Sequence, residues 1–130
     1  MNREQSKTSI DYDRLMRENL SRVFNERDPS VRLQAIEEIY ADDAALYESP
    51  DTPARGHLAI NEAVNALWRN LPPAFIFTPA GAAMGHHSIG KLHWEAGPPG
   101  GPVAVTGADV AHFVNGRIHS LYVFLDQPGA

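Results

Sequence analysis

Two acidic residues in this sequence of 130 residues are of a type and in a setting that suit proton transfer. Glu48 lies near the end of the stretch YADDAALYESP, and Asp109 lies within TGADVAHF, between small and apolar residues. A carboxyl group in an apolar pocket has its pKa raised by desolvation, towards the range of a useful acid or base. The alternatives are a solvated glutamate at a strand end and an Asp109 carboxylate paired with a neighbouring arginine, lysine or histidine.

The register of the strand that carries Glu48 decides which of its side chains faces inward. Because side chains alternate between the two faces of a strand, a shift of one residue turns Glu48 outward and brings Tyr47 or Ser49 inward. Glu48 and Tyr47 are therefore both candidate catalytic residues. Asp42 and Asp43, earlier in the same stretch, are typical of a solvated turn between a helix and a strand.

Histidines are the next candidates, because a histidine–aspartate pair supports proton abstraction or dehydration. His93 and His119 are the candidate partners of Asp109, and strand alternation predicts that His119 shares a face with Leu121. The sequence leaves open which of them pairs with Asp109, and a structural role is the alternative for each. No two histidines have ligand spacing on a helix and the chain has no cysteine, so we expect no metal site. We also expect no cofactor, because the sequence contains no nucleotide-binding motif.

Composition and charge argue against several classes of partner. The formal net charge is −5 and no basic run offsets it, whereas a nucleic-acid-binding surface needs a cationic face. No segment approaches the roughly 20 apolar residues of a membrane helix, and the start of the chain does not read as a signal peptide. The lack of cysteine fits a reducing compartment. We expect a cytoplasmic protein that binds neither nucleic acid nor membranes.

The candidate residues are positioned by helices in the first half of the chain and strands in the second. The predicted helices cover residues 12–26, a segment that begins at Pro29 with Asp28 as its cap, and residues 57–71. The predicted strands are AALYES and residues 74–78, 87–95, 103–114 and 117–126. Asn115 and Gly116 predict a tight hairpin between the last two strands, because both tolerate positive φ.

Three helices followed by strands with tight turns predict an α+β fold, in which the helices cover one face of a bent antiparallel sheet. Residues 12–126 form this single domain, between a frayed N-terminus at residues 1–11 and a tail at residues 127–130. The last strand is apolar on both faces, because Leu121, Val123 and Leu125 alternate with Tyr122 and Phe124. The second apolar face needs a cover, so we expect a homodimer built on the outer face of the sheet.

Three motifs follow one another in a characteristic order: YADDA after the second helix, Arg55-Gly56 before the third, and the terminal GADVAHFVNGRIHSLYVFLD. With this order of elements, residues 12–126 resemble the nuclear transport factor 2-like (NTF2-like) superfamily, in its SnoaL-like (polyketide cyclase) and ketosteroid isomerase-like branch. The resemblance implies a cone-shaped barrel. In it, a strongly bent antiparallel sheet with a mixed edge wraps around the three N-terminal helices and leaves an apolar pocket open at one end. The superfamily contains enzymes and non-catalytic binders, so its fold does not fix an activity.

The resemblance also implies roles for the two acids. Glu48 falls where ketosteroid isomerases carry the aspartate that moves a proton beside a carbonyl group. Asp109 falls where they hold a protonated aspartate that donates to the developing oxyanion. Those enzymes also use a tyrosine of the first helix, but this chain has Leu20 there, with Asn19 beside it. This departure argues against steroid-type isomerisation, unless Tyr47 substitutes from the strand.

The expected ligand is a small hydrophobic or polyketide-like molecule. If the protein is an enzyme, we expect cofactor-free isomerisation, cyclisation or dehydration, with Glu48 as base and Asp109 as oxyanion donor or histidine partner. The alternative is a non-catalytic ligand-binding module, or a dimeric scaffold, of the same fold. The residues predicted to form the pocket wall are Leu20, Phe24, Tyr40, Trp68, Phe75, Phe113, His119, Leu121 and Leu125.

Overall fold

The computed structural model describes residues 9–48 and 52–126. This part of the chain contains three helical regions and seven strands. Two strands lie between the second and third helical regions, and the other five follow the third. The predicted tail at residues 127–130 lies outside the described residues, and so does most of the predicted N-terminal segment at residues 1–11. Within the described ranges, no helix is both long and apolar enough to cross a membrane.

The first helical region combines two kinds of helix. α1 (Tyr12–Glu18) continues directly into a π-helical segment (Asn19–Phe24). The π-helical segment ends with a hydrogen bond from the Asn25 backbone N–H to the Leu20 carbonyl at 2.8 Å, five residues back. Such π turns frequently occur at functional sites. The helix predicted over residues 12–26 is thus present, with α geometry in its first half only.

Local signals set the starts of the other two helices. α2 (Pro29–Ile39) begins at its proline, and the Asp28 carboxylate caps it by accepting a hydrogen bond from the Ser30 N–H at 2.9 Å. This start agrees with the sequence prediction. α3 (His57–Asn70) follows Gly56, whose φ of 87° lies in the region that favours glycine.

Seven strands form one mixed sheet. They are β1 (Tyr40–Tyr47), β2 (Ala54–Arg55), β3 (Ile76–Pro79), β4 (Met84–His86), β5 (Ile89–Gly97), β6 (Val105–Val114) and β7 (Arg117–Leu125). The order is β2-β1-β7-β6-β5-β3, and β4 pairs with β5. β1 and β7 run parallel, and the other pairs are antiparallel. The sequence pattern does not predict the short strands β2 and β4.

The predicted hairpin between β6 and β7 is confirmed. Asn115 and Gly116 form its loop, with φ values of 53° and 80°. A second two-residue loop joins β4 to β5, where His87 and Ser88 have φ values of 51° and 68°. Both loops need positive φ, but only the first has the residue types that adopt it readily.

Irregular register in β7 changes which face its side chains occupy. Ile118 pairs with Phe113 and Ser120 pairs with His112, so His119 is an extra residue between them. A β-bulge of this kind bends the strand and breaks the alternation of side chains. As a result, the buried residues of β7 are Ile118 and Leu121, three apart rather than two.

A longer irregularity lies at the start of β1. Tyr40 pairs with Ile118, but Ala45 already pairs with Ser120, so the residues between Tyr40 and Ala45 bulge from the sheet. Asp42 and Asp43 lie in this bulge, and both are exposed. Their solvated position agrees with the sequence prediction, although they belong to a strand rather than to a turn before it.

The helices pack on one face of the sheet, here called the inner face. The core residues from the helical regions are Met16, Leu20, Val23, Phe24, Ala35, Ile36, Ile39, Ile60 and Val64. The core residues from the sheet include Leu46, Phe77, Leu92, Trp94, Phe113, Ile118 and Leu121. This arrangement confirms the predicted α+β class, with a sheet that is mixed at β1 and does not close on itself.

Candidate active site

An apolar cavity lies between the helices and the inner face of the sheet. Its volume is about 170 Å³. Ten apolar residues line it: Leu20, Phe24, Leu67, Leu71, Phe77, Trp94, Ala96, Val105, Val123 and Leu125. The other two lining residues are Glu48 and Asp109. Two carboxyl groups therefore converge on one otherwise apolar cavity.

Asp109 is held deep in this cavity by the centre of the sheet. It lies in β6, where Leu92 and Val123 are its neighbours on β5 and β7, and its side chain is 1% exposed. Its Oδ1 accepts a hydrogen bond from Trp94 Nε1 at 3.0 Å, whereas Oδ2 has no partner among the described residues. Burial raises the pKa of Asp109 to about 7, and the hydrogen bond from Trp94 opposes this shift. Asp109 can thus carry a proton near neutral pH.

Glu48 approaches the same cavity from the end of β1. It is half-buried, and burial raises the pKa of its carboxyl group above the ordinary value. Leu46, two residues earlier, is a core residue, so the alternation along the strand end directs Glu48 inward. A carboxylate with a raised pKa at the cavity is chemically suited to accept and return a proton.

Tyr47 points to the opposite face. Its ring stacks on that of Tyr122, the residue paired with it on β7, with centroids 4.6 Å apart and planes at 8°. Of the two candidates at this strand end, Glu48 lines the cavity and Tyr47 does not. Ser49, the other residue that a shifted register would bring inward, lies outside the described residues.

His93 lies on the outer face of β5. It alternates with Leu92 and Trp94, both of which are buried, and is itself exposed. The predicted pairing of His93 with Asp109 is not found, because Trp94 takes that place. The alternation of Leu92 and Trp94 in the sequence could have indicated that His93 faces outward.

His119 also lies away from the cavity. Its Nε2 is 3.6 Å from Asp43 Oδ2, and its ring centroid is 6.0 Å from that of His112. The predicted place of His119 beside Leu121 on the inner face is wrong, because the bulge in β7 moves His119 out of alternation.

The other residues predicted for the pocket wall divide between the cavity and the core. Leu20, Phe24 and Leu125 line the cavity. The remaining predicted residues do not line it: Tyr40, Phe113 and Leu121 are fully buried in the core, and Trp68 and Phe75 are half-buried. Aromatic residues at helical or strand spacing pack in a core more often than they line a pocket, and the sequence does not show how deep each one lies.

Several lining residues were missed by the sequence reading. Leu67 belongs to the apolar stripe of α3 and Leu71 follows the end of that helix, and Trp94, Ala96, Val105 and Val123 are inward-facing residues of three strands. The alternation of the strand residues is visible in the sequence. It predicts which face of the sheet a side chain occupies, but not whether that side chain lies at the cavity or in the core.

A buried polar pair lies next to this site. The Tyr40 hydroxyl donates a hydrogen bond to Asn19 Oδ1 at 2.6 Å, and both side chains are 0% exposed. Asn19 Nδ2 has no hydrogen-bond partner among the described residues. Burial raises the pKa of Tyr40 well above its ordinary value, and the negative charges of Asp109 and Glu48 add to the shift. The pair therefore lies in the electrostatic field of the two carboxyl groups.

The described ranges contain no cluster of three or more histidine, cysteine, aspartate or glutamate side chains arranged to hold a metal ion. Among the described residues, the titratable side chains that line the cavity are Glu48 and Asp109.

Comparisons with known proteins identify the family. The SnoaL-like domain matches residues 18–121. A candidate isomerase of the SnoaL-like family from Agrobacterium tumefaciens superposes with a TM-score of 0.80, at 24% identity over 89% of this chain and 97% of that chain. A candidate ketosteroid isomerase from Kribbella flavida superposes with a TM-score of 0.69, at 12% identity over 92% of this chain and 80% of that chain. An NTF2-like protein of unknown function from Cytophaga hutchinsonii gives 0.64, at 16% identity over 92% and 94%.

No curated protein matches the chain. The likenesses to solved structures establish the NTF2-like cone that the motifs predict, at identities that show the fold and not the activity. Since the domain match covers most of the sequence, the chain belongs to the SnoaL-like family.

Proposed function

We propose that this protein binds a compact apolar carbonyl compound and catalyses a cofactor-free proton transfer at the carbon beside the carbonyl group. Glu48 is the general base, and Asp109 is the hydrogen-bond donor to the carbonyl oxygen. The observation that carries the proposal is the convergence of these two carboxyl groups on one apolar cavity. A pocket that serves binding alone has no need of two acids, because each costs free energy to desolvate.

The proposed step uses only groups that the chain supplies. The Glu48 carboxylate removes a proton from the carbon beside the carbonyl, so a C–H bond breaks and an O–H bond forms. The electron pair moves onto the carbonyl oxygen, where protonated Asp109 donates a hydrogen bond from the free Oδ2 to the enolate. Return of the proton from Glu48 to the same carbon regenerates the ligand and leaves both carboxyl groups in their starting states. In a ligand whose next bond is a carbon–carbon double bond, return of the proton to the far carbon of that bond gives an isomer.

The two environments suit these different roles. Asp109 is fully buried with a pKa of about 7, so a large share of the molecules carries the Asp109 proton at neutral pH. Glu48 is only half-buried, and its pKa is raised less far from the ordinary range. Separation of two carboxyl pKa values by environment is how such pairs divide acid and base roles.

The cavity limits the size of the ligand. Its volume of about 170 Å³ is close to that of an engineered cavity of ~150 Å³ that holds one benzene ring. The enclosed part of the ligand is thus a single ring or a short branched chain. Apart from the two acids the lining is aliphatic and aromatic, so among the described residues these acids supply the polar contacts for such a ligand.

Hydrogen–deuterium exchange on cyclohexanone tests the proposal. The protein in deuterated buffer at pH 7 is expected to speed the loss of the proton NMR signal of the hydrogens beside the carbonyl. Glu48→Gln should reduce this rate at least about 100-fold, because general-base catalysis contributes on that order. Asp109→Asn should reduce it less, because an amide N–H still donates a hydrogen bond to the oxygen.

Glu95→Gln is the matched control, since Glu95 lies on β5 outside the cavity lining and should leave the rate unchanged. Saturable binding of cyclohexanone without any exchange above the buffer rate would favour the alternative of a non-catalytic ligand-binding protein.

We further propose a homodimer formed through the outer face of the sheet. Tyr47 and Tyr122 stack there, and Phe124 beside them is 57% exposed. An exposed apolar face on a sheet that is already covered on its inner side is typical of an interaction surface. A second copy is the occupant we infer, because an isologous contact lets one aromatic cluster cover another.

A further inference from the structure

Gly107 lies beside the hydrogen bond that holds Asp109. It is buried in β6, directly opposite Trp94 of β5 and two residues before Asp109. Because side chains alternate along a strand, residue 107 faces the same side of the sheet as Asp109, which is the inner face. Trp94 and Asp109 are therefore diagonal neighbours across the two strands, a spacing that aromatic and other long side chains can bridge.

The Trp94 indole occupies the space that a side chain at residue 107 would need. A Cβ atom there would lie 2.5 Å from Trp94 Cζ2 and 2.9 Å from Trp94 Cη2, well inside the ~3.5–4.0 Å at which carbon atoms normally meet. It would also clash with the Phe124 carbonyl oxygen. The six-membered ring of the indole thus covers Gly107, while its Nε1 donates to Asp109 Oδ1 at 3.0 Å.

The indole has no free space on its other side. β3 pairs with that edge of β5, and the Phe77 ring packs edge-on against the indole, with centroids 5.2 Å apart and planes at 84°. Phe77 is itself held by Phe24 and Trp68, whose ring centroids lie 6.3 Å and 5.6 Å from its own. The indole is therefore enclosed between Phe77 and Gly107, and its position depends on the missing side chain of residue 107.

The position of the indole decides which oxygen of Asp109 carries the proton. The indole N–H is a donor only, so Asp109 Oδ1 acts as the acceptor. The proton of the neutral acid then resides on Oδ2, which has no partner among the described residues. Since Asp109 lines the cavity, Oδ2 is the oxygen left to donate a hydrogen bond to a ligand.

We propose that Gly107 is a positioning residue of this site. The space above its backbone holds the Trp94 indole, and the indole in turn fixes the Asp109 carboxyl group with Oδ2 as the proton-bearing oxygen. A larger residue at position 107 would displace the indole and leave Oδ1 buried without its donor. This inference rests on the proposed function only in taking Asp109 as the hydrogen-bond donor to the ligand.

NMR titration of a Gly107→Ala variant tests the inference without a ligand. The signals to follow are the ¹³C resonance of the Asp109 carboxyl group and the ¹H resonance of Trp94 Nε1–H. In the wild-type protein the indole resonance is expected to shift as Asp109 titrates, because the two groups share a hydrogen bond. In Gly107→Ala the indole should lose this response, and the acid dissociation constant of Asp109 should fall at least about threefold, because a hydrogen bond that stabilises the ionised form is lost.

Gly90→Ala is the matched control, since it adds a methyl group at another buried glycine of the sheet. A Cβ atom at residue 90 would lie 3.0 Å from Tyr12 Cδ1 and 3.3 Å from Phe113 Cε1, and neither ring lines the cavity. Whatever its effect on stability, this substitution should leave the titrations of Asp109 and Trp94 as they are in the wild-type protein.

Combination of Gly107→Ala with Trp94→Phe separates the indole from the other contacts of residue 107. The phenyl ring lacks the two indole atoms that a Cβ at residue 107 would meet, and the hydrogen bond to Asp109 is already absent. Added to Trp94→Phe, Gly107→Ala should therefore change the acid dissociation constant of Asp109 less than about twofold, because two substitutions that remove one interaction are not additive.

Two results would overturn the inference: wild-type titrations of Asp109 and Trp94 in folded Gly107→Ala, or an equally large effect of Gly107→Ala in the Trp94→Phe background. If Gly107→Ala does not fold, a folded double variant supports the inference. An unfolded double variant overturns it, because glycine is then required by the Phe124 carbonyl and not by the indole. Failure of the proposed function has a different signature, since cyclohexanone exchange is then absent while the effect of Gly107→Ala on Asp109 persists.

Discussion

Trp94 Nε1 donates a hydrogen bond to Asp109 Oδ1 at 3.0 Å, inside a cavity that is otherwise lined by apolar side chains and Glu48. The indole is a donor only, so it favours the ionised form of Asp109 against the effect of burial. The balance between these two effects sets the protonation of the acid on which the proposed chemistry depends.

Replacement of this donor is expected to move the pKa of Asp109. In Trp94→Phe the ring remains apolar but the hydrogen bond is lost, so the pKa of Asp109 should rise above about 7. The free energy of unfolding should fall by about 1–2 kcal/mol, from the lost bond and the smaller ring. A ¹³C NMR titration of the Asp109 carboxyl carbon measures the pKa.

Trp68→Phe provides the control, because Trp68 Nε1 donates to the Phe24 carbonyl at 2.7 Å and not to an acid. It should cost similar stability and leave the titration of Asp109 unchanged. An unchanged Asp109 titration in Trp94→Phe would contradict the assigned role of the indole.

The raised pKa of Asp109 also predicts how stability depends on pH. Between pH 3.8 and about 7, folded Asp109 retains a proton that the unfolded chain releases, so its contribution to stability is greatest below pH 3.8. The contribution falls as pH rises from 3.8 to about 7, and above about pH 7 it no longer changes. The shift corresponds to on the order of 4 kcal/mol, and the raised pKa of Glu48 acts in the same direction.

Urea unfolding at pH 5 and pH 8 measures this dependence. Asp109→Asn should remove most of it, and Asp42→Asn, at an exposed aspartate of the β1 bulge, should keep it. Equal pH dependence in the Asp109→Asn variant and the wild type would show that Asp109 is not protonated in the folded state.

The loop between β4 and β5 offers a stabilising substitution. His87 and Ser88 have φ values of 51° and 68°, in the region that asparagine and glycine adopt at lower cost. The double substitution His87→Asn with Ser88→Gly should raise the free energy of unfolding by about 0.5–1 kcal/mol. The backbone contacts of Ser88 with Tyr12 and Phe113 do not need its side chain.

The reverse exchange in the other hairpin is the matched control. Asn115→His with Gly116→Ser places unsuitable residues at φ values of 53° and 80° and should destabilise the protein by a similar amount. Thermal unfolding of the two variants beside the wild type reports both changes, and shifts of the same sign in both would refute the explanation from φ.

The proposed dimer predicts a concentration-dependent mass that depends on Phe124. Phe124→Ser should raise the dimer dissociation constant at least about tenfold, because an exposed phenyl ring at an interface contributes more than 1 kcal/mol when buried. Sedimentation equilibrium measures the mass. Val103→Ser, at an exposed apolar residue of the loop before β6, should leave it unchanged. A wild-type protein that stays monomeric at millimolar concentration would rule out the dimer.

Short-range signals in the sequence predicted the parts of the fold that are fixed locally. Asp28 and Pro29 set the start of α2, and Asn115 and Gly116 set the last hairpin, because caps and tight turns depend on a few adjacent residues. The resemblance to a known family supplied the cone and directed attention to Glu48 and Asp109, which both reach the cavity.

The remaining errors arose where side-chain alternation breaks or where depth matters. The extra residue in β7 turns His119 outward, and no residue type at that point announces a bulge. Tyr40 and Phe113 have the right face but lie in the core, because alternation along a strand says nothing of where a cavity begins. The pairing of Trp94 with Asp109 required the register between β5 and β6.

Because of the bulge in β7, deletion of a single codon could change which side chains of this strand face the interior. Phe113 and His112 are adjacent on β6, but their partners on β7, Ile118 and Ser120, are separated by His119. This one extra residue is what takes His119 out of alternation. Loss of the codon for Ile118 would set His119 opposite Phe113 on the inner face and leave Leu121 in register. One codon deletion would therefore place an imidazole among the buried side chains of this protein.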